Sequence, residues 1–238
     1  MPSFDDLNFS HFNSTSFKPS PWDEAIFQVP CYEIIDPSET SLAQASSHVG
    51  HYTVKLDPLA DKALLHRYGF YYADTLIEPS CKQDRLINHS HVDIAVVSDM
   101  PLHELLNMCD NSFVYGRFHR DFNLSKVQAD QRYKQWLEQL YNNANVFGLL
   151  YKNNIAGFIA CSEGKLMLHA MDVQFRGQGL AKFMWSAVIK ILFEQGENEI
   201  RSSISASNLA ALNLYSSLGF HFDQAQDIYH RLTEATSS

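Results

Sequence analysis

The run Met171-Asp172-Val173-Gln174-Phe175-Arg176-Gly177-Gln178-Gly179-Leu180-Ala181 holds the residue types and order most suited to chemistry. It reads as a strand end, a glycine turn and a helix start. Glycines let the backbone turn tightly and approach a ligand without a Cβ in the way. The first N–H groups of a helix have no internal acceptor, so they form a cradle for an anion, and successive amides in such a turn can close around phosphate oxygens. Each hydrogen bond to a charged group contributes roughly 1.5–3 kcal/mol. Three or four of them supply much of the ~8 kcal/mol that micromolar binding requires. The spacing does not fit G-x-x-x-x-G-K-[ST], the phosphate loop of nucleotide hydrolases. A dinucleotide fingerprint, G-x-G-x-x-G, needs glycine where Lys182 stands. Glu197 and Glu199 do lie about 20 positions on, but too few strands follow to complete a doubly wound sheet.

A second run, Asn208-Leu209-Ala210-Ala211-Leu212-Asn213-Leu214-Tyr215-Ser216-Ser217-Leu218-Gly219-Phe220, reads as a helix with a glycine stop. Asn208 is a good N-cap in its own right. Tyr215 lies two turns on and shares its face, and a phenol with a pKa near 10 keeps its proton at neutral pH, ready to donate it. The stretch Phe113–Lys126 is aromatic and basic. There Arg117, His119 and Arg120 suit a diphosphate, and Tyr115, Phe118 or Phe122 suit stacking on a base or sugar. A surface loop packed by its own aromatics explains the same composition.

The first run resembles the acetyl-CoA motif of the GNAT superfamily, Q/R-x-x-G-x-G/A, written here as Arg176-Gly177-Gln178-Gly179-Leu180-Ala181. The second is similar to that superfamily's later motif, N-x-x-A-x-x-x-Y-x-x-x-G-F. The resemblance implies an α/β (α+β) GNAT fold: a mixed, mostly antiparallel twisted sheet flanked by helices, with a smaller N-terminal α/β domain. It implies acetyl-CoA as cosubstrate, with the backbone of Met171 and Val173 on the pantetheine arm. Residues Arg176, Gly177, Gln178, Gly179, Leu180 and Ala181 would hold the pyrophosphate, Asn208 would touch the arm, and Tyr215 would protonate the leaving thiolate. Within the superfamily the chain is similar to the bacterial dTDP-fucosamine acetyltransferases. That likeness rests on Trp22-Asp23-x-x-x-Phe27, Leu65…Gly69-Phe70, Arg117-Phe118-His119 and Tyr133-x-Gln135-Trp136. It implies a nucleotide-linked amino-deoxy sugar as acceptor, with Arg117, His119 and Arg120 binding it. Another amine (an antibiotic, a polyamine, a protein N-terminus) and a non-catalytic acyl-CoA sensor remain as alternatives. So do several bases for the acceptor amine: Asp172, His169, His119 or a water.

The elements that must position these groups follow from periodicity. Residues 1–20 show neither helical nor strand period and read as a flexible arm, anchored by Phe4, Phe9 or Phe12. Residues 21–88 read as a small α/β domain: a strand over Cys31–Ile35, a helix from Ser38 to Ser47, a strand over Tyr52–Leu56, a helix from Asp57-Pro58 to Tyr68 and a strand to Ile77. The polar stretch Lys82–Ser90 reads as a linker. Residues 89–238 form the expected transferase domain. It begins with a strand at Val92–Val97 and a helix at Pro101–Cys109. Ser125-Lys126-Val127-Gln128 fits a capping box, and behind it Tyr133, Trp136, Leu137, Leu140 and Tyr141 share one helical face. Strands at Val146–Tyr151, Ile155–Cys161 and Leu166–Val173 follow, joined by turns at Asn153-Asn154 and Glu163-Gly164. An amphipathic helix (Gly179–Gln195), a strand (Ile200–Ala206), the helix Asn208–Leu218 and two short strands (Phe220–Asp223, Asp227–Leu232) complete the pattern.

Bulk properties narrow the function classes. The 238 residues carry a net charge of −9, so no surplus of Lys and Arg is available to neutralise nucleic-acid phosphates. No apolar stretch approaches the ~20 residues that span a bilayer, and the acidic N-terminus lacks the features of a secretory signal. The expectation is cytoplasmic, without membrane partners. Cys31, Cys81, Cys109 and Cys161 form no C-x-x-C pair and read as small buried side chains. The histidines make no ligand motif, so no metal is expected. A homodimer is compatible with the sequence but not specified by it.

Overall fold

In a computed structural model, residues 16–234 are described. The described residues divide into two compact units, one of residues up to 73 together with those from 226 onward and one of residues 74–225. The boundary expected at 88 lies inside the second unit, and the last strand returns its C-terminal half to the first. Phe4, Phe9 and Phe12 lie outside the described residues.

The first unit contains β1 (Phe17–Pro19), α1 (Pro21–Phe27), β2 (Cys31–Ile34), α2 (Glu39–Ser47), β3 (Gly50–Leu56) and α3 (Ala63–Arg67). β1 pairs antiparallel with β2, and β2 runs parallel to β3. Part of the segment expected to be an arm is therefore ordered: Phe17 is buried against Tyr32 and Tyr52. Its pairing register, not its periodicity, fixes it, because a three-residue strand is too short to display a period. The helix expected from Asp57 is only α3, since residues 57–62 form turns held by the Asp57 and Asp61 carboxylates. Those carboxylates accept backbone N–H groups locally and so compete with the helix.

The second unit begins with β4 (Tyr71–Lys82), which takes up the start of the expected linker, followed by β5 (Ile94–Val97), α4 (Leu102–Asn107), α5 (Arg117–Arg120) and α6 (Lys126–Asn143). It continues through β6 (Asn145–Tyr151), β7 (Asn154–Ser162), β8 (Lys165–Met171), α7 (Ala181–Glu194), β9 (Glu199–Ser202), β10 (Ile204–Ser205), α8 (Leu209–Ser217) and β11 (His221–Thr233). The sheet is mixed. β5, β6, β7 and β8 pair antiparallel in sequence, β8 and β9 are parallel, and β9 pairs antiparallel with β4. Helices cover both faces. One core gathers Leu149, Ile159, Met184, Ile189 and Tyr215 beneath α7 and α8. The other gathers Leu105, Leu137, Phe158 and Leu168 beneath α4 and α6. Period-two alternation along β7 sends Phe158 to one core and Ile159 to the other.

Several local readings change. Ser125 is the N-cap of α6, but its side chain makes no capping bond, so the box does not close. The first tight hairpin turns on Lys152-Asn153, with positive φ at both, one residue before the expected pair. The expected strand 200–206 breaks at Ser203, where β9 ends and β10 crosses to pair with β4. The two expected last strands are one long β11, with Gln224 at φ 40° absorbing the irregularity. All four cysteines are buried and free. Burial raises the Cys81 thiol to about 11 and the Cys109 and Cys161 thiols to about 12, which keeps them protonated and unreactive. No helix among the described residues is long and apolar enough to cross a membrane.

Candidate active site

The parallel pairing of β8 with β9 ends at Leu166↔Ser202. Beyond that point β8 continues to Met171, whereas the chain after β9 turns away into β10. The two strands splay, and a cleft opens between them. This break is what positions the site, because a parallel pair that stops early leaves edge groups of both strands to face a ligand.

The glycine loop leaves the open end of β8. Met171 closes the strand, so Val173 lies beyond it, in a 3₁₀ turn over Val173–Phe175 that Asp172 caps by accepting the Gln174 N–H at 2.8 Å. Arg176 does not reach outward. Its Nε donates to the Met171 carbonyl at 2.9 Å and its Nη2 to Ser112 Oγ at 2.6 Å, which staples the loop to its own strand. Gln178 likewise donates to the Gln174 carbonyl. Leu180 is buried and anchors the loop to the core. Between these anchors, Gly177 and Gly179 hold φ of 73° and 72°, and a Cβ on either would meet open space. Among the described residues, the backbone N–H groups from Gly177 to Lys182 have no hydrogen-bond acceptor. A row of unsatisfied amides at the start of a 14-residue helix, with no side chain in front of it, has the form that can receive an anion such as a diphosphate.

Asn208 caps α8 and accepts the Ala211 N–H at 3.1 Å through Oδ1. Tyr215 is fully buried, and its hydroxyl lies 3.0 Å from His169 Nε2. Alternation on β8 places Leu168 and Ala170 against the α6 core and turns His169 toward Trp185 and Tyr215. Burial lowers the His169 imidazole to about 4 and raises the Tyr215 phenol to about 12, so the pair is neutral at physiological pH. Moving a proton across this hydrogen bond alone would leave a buried tyrosinate–imidazolium pair, so the pair relays a proton without lasting charge only when one enters at His169 as another leaves from Tyr215.

A cavity of about 360 Å³ opens beside this pair. It is lined by Phe113, Tyr115, Arg117, Arg132, Trp136 and His169, together with Asp74, Ser205 and Asn208. Its size lies at the low end for small-molecule sites. The three expected acceptor-binding residues separate. Arg117 lines the cavity, with its guanidinium over the Phe118 ring. His119 is 6% exposed, pairs with Asp130 at 2.9 Å and stacks on Tyr133. Arg120 is committed to Asp74 at 2.6 Å and Ser207 at 2.9 Å. Of the candidate bases, only His169 lines the cavity; Asp172 is occupied as a cap and His119 as an ion-pair partner.

Arg132 and Asp74 are among the cavity residues that the sequence reading did not single out. Arg132 sits on the buried face of α6, stacked over Phe118 at 4.1 Å; a lone arginine on an apolar helical face was its signal. Asp74 is fully buried inside a strand otherwise read as apolar. An acidic residue at an inward strand position was the cue there, since buried carboxylates are rare without a purpose.

Known proteins share this architecture. Residues 113–220 match the Acetyltransferase (GNAT) family. A curated relative, the spore coat polysaccharide biosynthesis protein SpsD of Bacillus subtilis, is 23% identical over 132 residues, covering 53% of this chain and 46% of that protein. The chain thus matches less than half the length of that relative. Among solved structures, a conserved protein of unknown function from Staphylococcus epidermidis aligns over 98% of both chains with a TM-score of 0.63 at 14% identity. A GCN5-related N-acetyltransferase from Sphaerobacter thermophilus aligns over 79% of this chain and 61% of its own, with a TM-score of 0.57 at 13% identity. Both share the fold. The splayed β8–β9 pair and the glycine loop both lie within residues 113–220, the segment of this chain that matches the GNAT family of acetyltransferases, enzymes that use acetyl-CoA as cosubstrate.

Proposed function

We propose that the chain transfers the acetyl group of acetyl-CoA to the primary amine of a nucleotide-linked amino-deoxy sugar. The observation that carries this reading is the cavity beside the His169–Tyr215 pair, which combines arginines with aromatic walls. Arginine forks suit a diphosphate, and aromatic faces suit a base or the apolar face of a sugar. The polysaccharide role in the name of the Bacillus subtilis relative points the same way.

In this reading the amides from Gly177 to Lys182 receive the coenzyme's diphosphate. The backbone of Met171 and Val173 and the side chain of Asn208 flank its arm, and the staple from Arg176 to Met171 and Ser112 holds the loop in shape. The acceptor amine attacks the thioester directly. His169 takes the proton that the amine loses, and Tyr215 supplies the proton that the leaving thiolate gains, with their 3.0 Å contact linking the two transfers. The remaining catalysis is positioning of the two substrates within one cleft.

The test is thiol release from acetyl-CoA with dTDP-linked amino sugars, polyamines, aminoglycosides and peptide N-termini. Amino-sugar nucleotides are expected to show the highest kcat/KM; inert sugar nucleotides beside an active polyamine or peptide would reassign the acceptor. Tyr215→Phe is expected to lower kcat about 100-fold with little change in acetyl-CoA affinity. An unchanged kcat would end the acid role of Tyr215.

A further inference from the structure

Asp74 has a lopsided hydrogen-bond arrangement. Its Oδ1 accepts from Arg120 Nη1 at 2.6 Å, Ser205 Oγ at 2.7 Å and the Thr75 N–H at 2.9 Å. Its Oδ2 is buried and has no hydrogen-bond partner. The residue is 0% exposed, yet it lies on the wall of the cavity with Ser205, Asn208 and His169. A carboxylate oxygen has room for two donors, and leaving a buried one empty costs about 1–3 kcal/mol, more for a charged group. Structural ion pairs fill both oxygens where they can. Here three donors crowd onto one oxygen, which fixes the carboxylate plane and keeps the other oxygen for something that arrives later.

We propose that Asp74 is a specificity-determining residue of the acceptor site, whose Oδ2 accepts a hydrogen bond from an N–H or O–H donor of the acceptor while Arg120, Ser205 and Thr75 hold Oδ1. The inference rests on the acetyltransferase reading given above and adds to it a group that selects donors within a cavity whose other charged walls, Arg117, Arg132 and Lys165, are cationic. An acceptor with a donor at that point satisfies the carboxylate. One without it leaves the oxygen buried and unpaired, and this asymmetry gives stronger discrimination than apolar fit alone. Asp74 is thereby a binding and positioning group, distinct from the proton-transfer pair.

The decisive measurement is a crystal structure of the wild-type chain, soaked in separate arms with ethylammonium chloride and with ethylene glycol. Expected is a probe nitrogen or hydroxyl within hydrogen-bond distance of Oδ2, the preferred arm identifying the donor class. A protein donor on Oδ2, a sealed water there in both arms, or no probe at Oδ2 in either arm overturns the proposal. Kinetics give a second readout with whichever amine the enzyme turns over. Asp74→Asn should raise the acceptor KM at least tenfold while kcat and acetyl-CoA affinity stay within about threefold; a parallel loss in all three would mark a purely structural role. Acetyl-CoA affinity of the wild type, measured by calorimetry in the same preparation, tests the acetyltransferase reading separately from the occupancy of Oδ2.

Discussion

The loop from Arg176 to Ala181 and the segment around α5 were both read from the sequence as suited to phosphate, the first through its backbone and the second through basic side chains. They are built in opposite ways. In the loop the polar side chains are spent internally, Arg176 on Met171 and Ser112 and Gln178 on Gln174, while the backbone amides stay without acceptors. Around α5 the side chains had to carry the recognition, and the fold has claimed two of them: His119 for Asp130 and Arg120 for Asp74. A site made of backbone depends on local conformation, which glycine spacing sets. One made of side chains depends on which distant residues arrive beside them.

The largest expected effect breaks the loop. Gly179→Asp sets an anion at a position with φ of 72° facing open space. Acetyl-CoA affinity should fall roughly 1,000-fold, or about 4 kcal/mol, by calorimetry, while thermal stability drops only modestly, by about 1–2 kcal/mol for the left-handed backbone. Equal affinities would mean that these amides do not hold the coenzyme.

Between the two regions sits His169, held neutral by burial down to about 4. The unfolded chain takes up this proton near pH 6.5, whereas the folded chain resists it until about 4. The stability present above pH 6.5 is therefore lost progressively as pH falls toward 4, by up to about 3 kcal/mol. Urea unfolding at pH 7 and pH 4.5 should show a smaller loss in His169→Gln than in the wild type. An identical loss in both would show that the imidazole is not held neutral.

Around α5 the effects should separate. His119→Ala removes a buried partner of Asp130 and a ring stacked on Tyr133, and should lower stability by about 2 kcal/mol in urea titration. Once corrected for the folded fraction, its acceptor KM should stay unchanged. Arg117→Gln should do the reverse, raising the acceptor KM about tenfold with acetyl-CoA affinity intact. If His119 instead governed acceptor KM, the contrast between the two regions would fail.

The conformation of the loop was legible because its instructions are local. Gly177 and Gly179 specify positive φ, Leu180 anchors, and Asn208 caps whether or not a ligand is near. The helix α6 and the antiparallel strands β6 to β8 were legible for the same reason, through apolar repeats several residues long. Strand β1 was not, because three residues show no period, and neither was the merged β11, whose polar middle hides a continuous strand.

What the amino-acid order determined alone was the set of conformations each segment prefers: the glycine turn before a helix, the capped helix carrying Tyr215, and the alternation that points His169 away from Leu168. Tertiary structure decided which charges meet. It ended the β8–β9 pairing at Leu166↔Ser202, brought Ser205, Arg120 and Asp74 together from three separate stretches, and paired His119 with Asp130. The physical reason is range. Backbone preference acts across neighbouring residues, whereas the pairing of a buried charge is settled by whichever partner the packed chain delivers to it.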